Sequence, residues 1–79
     1  MILHDILSVC TKGESITQIV YKSNINFPIA RRFLEPMLKS NLLEKIDNSP
    51  VIYKTTPKGE DTLARLKIHL DQMKGVFGD

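Results

Sequence analysis

Two short β-prone runs, Leu42-Leu43-Glu44-Lys45-Ile46 and Val51-Ile52-Tyr53-Lys54, flank the tetrapeptide Asp47-Asn48-Ser49-Pro50. Such runs on either side of turn-forming residues predict a hairpin over 42–54. A two-stranded hairpin is marginal on its own in water, so it must lean on what the rest of the chain supplies. The rest reads as helix. The chain is therefore restricted to a mainly α fold with a small β-hairpin, an α+β arrangement around one core.

The helices follow from the spacing of apolar residues. Ile2, Leu3, Ile6, Leu7 and Cys10 predict a first helix over 2–11, closed at Lys12-Gly13-Glu14 with Gly13 suited to a left-handed position. Ser15-Ile16 forms a short extended link. Thr17 then caps a second helix over 17–23 that buries Ile19, Val20 and Tyr21. Ser23-Asn24-Ile25-Asn26 is a turn, because Ser and Asn side chains compete for their own backbone. A third helix over 27–40 starts at a cap on Asn26 or Phe27, with Pro28 in its first turn. It buries Ala30, Phe33, Leu34, Met37 and Leu38 and shows Ile29, Arg31, Arg32, Glu35 and Lys39 on its other face. Pro36 lies within that span and removes the bond to the Arg32 carbonyl, a cost of about 3 kcal/mol. The apolar stripe continues past it, which predicts a kink rather than a break. Thr56-Pro57 pairs an N-cap with proline at the first helical position, and the last helix spans 57–74, with Gly75 as its stop.

With 79 residues, the chain buries only about 60% of its unfolded surface, and its single cysteine allows no internal disulfide. Reinforcement then falls to a second copy. Leu63, Leu66, Leu70, Met73 and Phe77 are spaced 3, 4, 3, 4, an a/d seam along the last helix. The first turns of that helix close the domain against helix one. The later part, with Leu70, Met73, Val76 and Phe77, has little left to cover it and predicts a twofold homodimer. The alternative is a monomer whose tail folds back on its own core.

Cys10 falls at the apolar spacing of the first helix and reads as a small core residue, in keeping with a reducing interior. Met1 is followed at once by an amphipathic segment containing His4 and Asp5, and no apolar run approaches the roughly 18 residues of a membrane span. These features predict a soluble cytoplasmic protein. His4 and His69 lie on different helices, with no cysteine or carboxylate spacing that makes a zinc ligand set. There is no glycine-rich phosphate loop and no nucleophile elbow. The expectation is a non-enzyme without metal, cofactor or small-molecule substrate.

Net charge is +2, but residues 15–59 carry seven basic side chains against three acidic ones. That concentration is where a polyanion would dock; a mildly basic, solvated face accounts for the charge equally well. The element order helix, helix, helix, hairpin, helix is more specific. Through Ile16–Asn24, Ala30-Arg31-Arg32-Phe33-Leu34, Asn41-Leu42-Leu43-Glu44 and Tyr53–Gly59 the chain resembles the winged helix-turn-helix proteins of archaea and their viruses.

The resemblance implies double-stranded DNA as partner, with the third helix in the major groove and the hairpin as a wing. It implies a nucleoid-associated transcriptional regulator that acts as a homodimer, since the similar proteins often dimerise through an extended C-terminal helix. Arg31 and Arg32, near the start of the third helix, suit the paired acceptors of guanine, and amide side chains suit adenine. Asn24 and Asn26 stand just before that helix, where turn and cap chemistry accounts for them equally well. Lys22, Ser23 and Lys39, with Lys45 and Lys54 on the wing, would serve phosphates. Asn48 is the one candidate contact at the wing tip. Two other functions fit the same pattern: a winged helix used as a protein–protein module, and a weakly specific DNA-coating protein.

Overall fold

The computed structural model describes residues 1–77, with side chains as far as residue 72. In chain order they form α1 (Ile2–Val9), a 3-10 turn (Cys10–Lys12), α2 (Ile16–Ser23) and α3 (Phe27–Lys39). Strands β1 (Leu43–Ile46) and β2 (Ile52–Thr55) come next, then α4 (Pro57–Phe77). Ile6, Leu7, Cys10, Ile19, Leu34, Met37 and Leu43 make the buried core, so α1, α2, α3 and the base of the hairpin all contribute.

The apolar stripe of α1 puts Ile6 and Leu7 wholly inside. The helix tightens into its 3-10 turn, and Gly13 at φ +91° swings the chain outward. Glu14 then pairs with Tyr53 on the free edge of β2, the two residues exchanging backbone bonds of 2.9 and 2.8 Å. The extended link thus lies at Glu14, one residue before Ser15-Ile16. Its partner strand loses an open edge.

Ser15, not Thr17, caps α2: its Oγ accepts from the Gln18 N–H at 3.3 Å. Thr17 is already helical and exposed. Ser15 wins because it has the extended backbone an N-cap needs, and the helix accordingly starts at Ile16. Ile19 is buried and Val20 half-buried, but Tyr21 is 82% exposed. A helix of 8 residues has room for only one buried stripe, and Tyr21 lies outside it.

Both α2 and α3 end the same way. Asn24 (φ 54°) and Asn41 (φ 59°) take the left-handed conformation. The next residue reaches back to the helix, Ile25 N–H to the Val20 carbonyl and Leu42 N–H to the Met37 carbonyl. Asn24 and Asn41 themselves donate to Tyr21 and Leu38. This pair of bonds is the Schellman closure, with asparagine where glycine is usual.

Asn26 caps α3, its Oδ1 accepting from the Ile29 N–H at 2.9 Å. Ala30, Leu34 and Met37 are buried, while Phe33 and Leu38 are half-buried. The helix runs through Pro36 without a break. Pro36 and Arg32 are both exposed, so the break in the hydrogen-bond ladder falls on the solvent-facing side of the helix.

β1 and β2 pair antiparallel in the register Leu43↔Thr55, Glu44↔Lys54, Lys45↔Tyr53 and Ile46↔Ile52. Thr56 then caps α4, its Oγ1 accepting from the Gly59 N–H at 3.0 Å and donating to the carbonyls of Asn41 and Leu42. Lys58 Nζ bonds the Ser40 carbonyl at 2.9 Å. Helix α4 packs on α1 and continues to Phe77, past the expected stop at Gly75. Glycine permits a left-handed stop but does not impose one, and inside a helix it costs only about 1 kcal/mol.

Candidate nucleic-acid interface

Helix α3 is held in place by its buried stripe, and that fixes which side faces outward. Arg31, Arg32, Glu35 and Lys39 are all exposed. Spaced at three and four residues, they share one face of the helix. The structure separates the basic residues around α3 by what their charge already touches. Lys22 Nζ lies 2.7 Å from Glu14 Oε1, a tight pair although Lys22 is 48% exposed. Lys39 stands 3.9 Å from Glu35, a loose pair on an open surface. The Arg31 guanidinium sits over the Phe27 ring, with Cζ 5.7 Å from its centroid. Arg32 has no ion pair among the described residues.

The uncharged candidates divide too. Asn24 and Asn26 are exposed on either side of Ile25, but each is structurally occupied, Asn24 by its left-handed backbone and Asn26 by capping α3. Asn26 keeps its amide NH2 free of that cap bond. Ser23 differs: its Oγ is enclosed and without a hydrogen-bond partner, so it does not present itself to a phosphate. Its place at the last position of α2, beneath the Schellman closure, turns it inward.

On the hairpin, Lys45 and Lys54 are both exposed. They belong to adjacent cross-strand pairs, Lys45 with Tyr53 and Lys54 with Glu44, and adjacent pairs point to opposite faces. The two lysines therefore do not form one cluster. Asn48 is exposed at the tip.

Along α4, Leu63 and Leu66 pack against the core of their own chain, and Leu70 is half-buried. The side chains of Met73, Val76 and Phe77 lie outside the described residues. Ile68, absent from the a/d seam, is 59% exposed. Sequence reasoning also missed Phe27, which is 38% exposed; its signal was the four-residue spacing to Arg31.

Cys10 is fully buried, and that burial, helped by the nearby Glu14 charge, pushes its thiol up to about 12. It stays protonated and behaves as a core residue. Among the described residues, no group of three His, Cys, Asp or Glu side chains is placed to hold a metal ion. No helix among them is long and apolar enough to cross a membrane.

A family model described as winged helix-turn-helix matches residues 1–74. Among solved structures, the chain is similar to a DNA-binding protein from Sulfolobus solfataricus, with a TM-score of 0.91 and 26% identity over 98% of this chain and 82% of that one. A transcriptional regulator from the same organism matches with a TM-score of 0.79 and 18% identity, covering 94% of this chain. A MarR-family transcriptional regulator from Silicibacter pomeroyi matches with a TM-score of 0.76 and 14% identity, covering 96% of it. The chain spans 60% and 57% of those two proteins, and at such identities the likeness is one of fold. No curated protein sequence matches it.

Proposed function

The chain belongs to the winged helix-turn-helix family, and from that premise we propose that it binds double-stranded DNA as a transcriptional regulator, working as a homodimer. The observation that carries this reading is the outward placement of Arg31 and Arg32 on α3. A helix of this kind fits the major groove, and the residues near its start are the ones that meet base edges. The likeness to the Sulfolobus DNA-binding protein supports the same reading. Lys39 and the hairpin lysines add phosphate contacts that set register without reading sequence. Lys22 joins them only when its pair with Glu14 opens.

Fluorescence-anisotropy titration of duplex DNA tests the reading. The parent binds with an affinity that falls steeply as salt rises, and Arg31→Ala with Arg32→Ala weakens binding by at least tenfold, about 1.4 kcal/mol or more. Equal binding by parent and double variant removes α3 as the contact surface. Absence of binding by the parent removes DNA.

The dimer rests on the length of α4, whose 21 residues outrun the core they cover. Leu63 and Leu66 are partly spent on that core, which leaves Leu70 and the seam positions Met73 and Phe77 to meet a second copy. In sedimentation velocity, Leu70→Asp with Met73→Asp converts a dimer to a monomer. If that variant sediments as the parent does, the interface lies elsewhere.

A further inference from the structure

We propose that Phe27 is a positioning residue for base recognition: its ring holds the Arg31 guanidinium by a cation–π contact that leaves the donors of Arg31 free to read a guanine. The inference rests on the DNA-binding reading above and deepens it. Four residues separate Phe27 from Arg31 on α3, which stacks the two side chains on one face, and Cζ lies 5.7 Å from the ring centroid. Phe27 opens the helix and is 38% exposed, an apolar ring left outside the core.

The chemistry of the contact explains why it does not block recognition. A guanidinium stacks through its planar face, while all five N–H donors lie in the plane and point from its edge. A contact between cation and ring therefore restrains the side chain without consuming a donor. An ion pair instead commits a donor to a carboxylate, as at Lys22, whose ammonium bonds Glu14 at 2.7 Å. Guanine offers O6 and N7 as paired acceptors, and the free fork of Arg31 matches them. Holding the long side chain in place beforehand lowers the ordering cost at binding. Arg32 has neither a ring contact nor an ion pair among the described residues, so nothing there orders its guanidinium in advance.

The test starts from a duplex that the full-length protein itself selects from a random pool. Phe27→Leu keeps an apolar residue at the helix start but removes the ring; Phe27→Trp keeps a ring. We expect Phe27→Leu to weaken the selected duplex about threefold, the size of one exposed cation–π contact, with affinity for random duplex and the salt slope unchanged. Phe27→Trp retains the preference. In an Arg31→Ala background, Phe27→Leu has no further effect, because Phe27 acts through Arg31.

Three outcomes overturn the inference while leaving DNA binding intact. The parent selects no sequence, Phe27→Leu leaves the preference unchanged, or it weakens random and selected duplex equally with or without Arg31. A urea titration of Phe27→Leu that coincides with the parent's keeps these outcomes free of folding effects. If the parent binds no duplex at all, the proposed function fails first and this inference falls with it.

Discussion

Thr55 Oγ1 donates a 2.7 Å hydrogen bond to the main-chain carbonyl of Leu7, 48 residues earlier in the chain. Thr55 is 4% exposed and is the last residue of β2; Leu7 is fully buried in the final turn of α1. A carbonyl in that turn is among those for which the helix itself need provide no donor. The bond therefore closes α1 and fixes the hairpin to it in one contact. The wing is held to the body of the domain from its base.

Replacing Thr55 by Val keeps the shape and removes the donor, leaving the Leu7 carbonyl buried without it. The expected cost is about 1–3 kcal/mol, which in a domain of this size lowers Tm by several degrees. Thr55→Ser restores the hydroxyl and recovers most of the loss. Urea or thermal unfolding measures both. Equal stability of Val and parent would show that the bond fixes nothing.

Gly59 inverts the usual rule that alanine improves a helix. A Cβ there would collide with the Leu42 carbonyl and stand 2.7 Å from Thr55 Cγ2. Propensity alone favours Gly59→Ala by about 1 kcal/mol. The clash with backbone outweighs it, and we expect a net loss of about 1–3 kcal/mol in urea unfolding. The backbone around Leu42 must move for α4 to start at all.

At Asn24 the cap and the DNA-contact roles separate by substitution. Its φ of 54° costs an alanine about 1–2 kcal/mol, whereas glycine fits the position freely. Asn24→Gly therefore retains stability in thermal unfolding, and Asn24→Ala loses it. If Asn24 also touches DNA, both variants bind more weakly in anisotropy titrations. If it only closes α2, Asn24→Gly binds as the parent does.

The hairpin, the α3 stripe and the Thr56-Pro57 start were legible because each rests on neighbours in sequence. Periodicity found Ile6, Leu7, Leu34 and Met37, and local backbone chemistry found Thr56 as a cap and narrowed the α3 cap to Asn26 or Phe27. The Thr55–Leu7 and Glu14–Lys22 contacts were not legible, because nothing local distinguishes a committed side chain from a free one. Composition made Lys22 and Arg32 look alike, although among the described residues one is paired and the other is not. The enclosure of the Ser23 hydroxyl was hidden for the same reason: a hydroxyl in a polar turn gives no sign of which way it points. The stop at Gly75 failed because a glycine allows a helix to end without compelling it to.

Cys10 makes stability fall at alkaline pH. Burial raises its thiol from 9.0 to about 12 in the folded chain. The folded state thus holds the proton more tightly than the unfolded state. The stability this represents is fully present below pH 9.0 and is lost as pH rises toward about 12. The loss approaches about 1.4 kcal/mol per pH unit within that window. Other groups titrate there too, so the readout is the difference between parent and Cys10→Ala in urea titrations at pH 8 and above. That difference should shrink as pH rises; a constant gap would contradict the burial argument.

Glu14 sets how much of the basic surface is available. Its carboxylate holds Lys22 at 2.7 Å while its backbone pairs with Tyr53, so the same residue joins α2 to the hairpin. A phosphate that takes Lys22 must compete with this carboxylate. Glu14→Gln leaves the backbone pairing in place and frees the ammonium. An exposed pair contributes at most about 1 kcal/mol, so stability should drop only slightly, and duplex affinity should rise by about two- to fivefold. The freed cation adds one counterion-releasing contact, which steepens the salt slope by about 0.9. Asp5→Asn removes the same charge from α1 and controls for net charge alone. In a Lys22→Gln background the gain from Glu14→Gln should vanish. If it persists there, the carboxylate acts by repelling the duplex directly, and Lys22 is no phosphate contact.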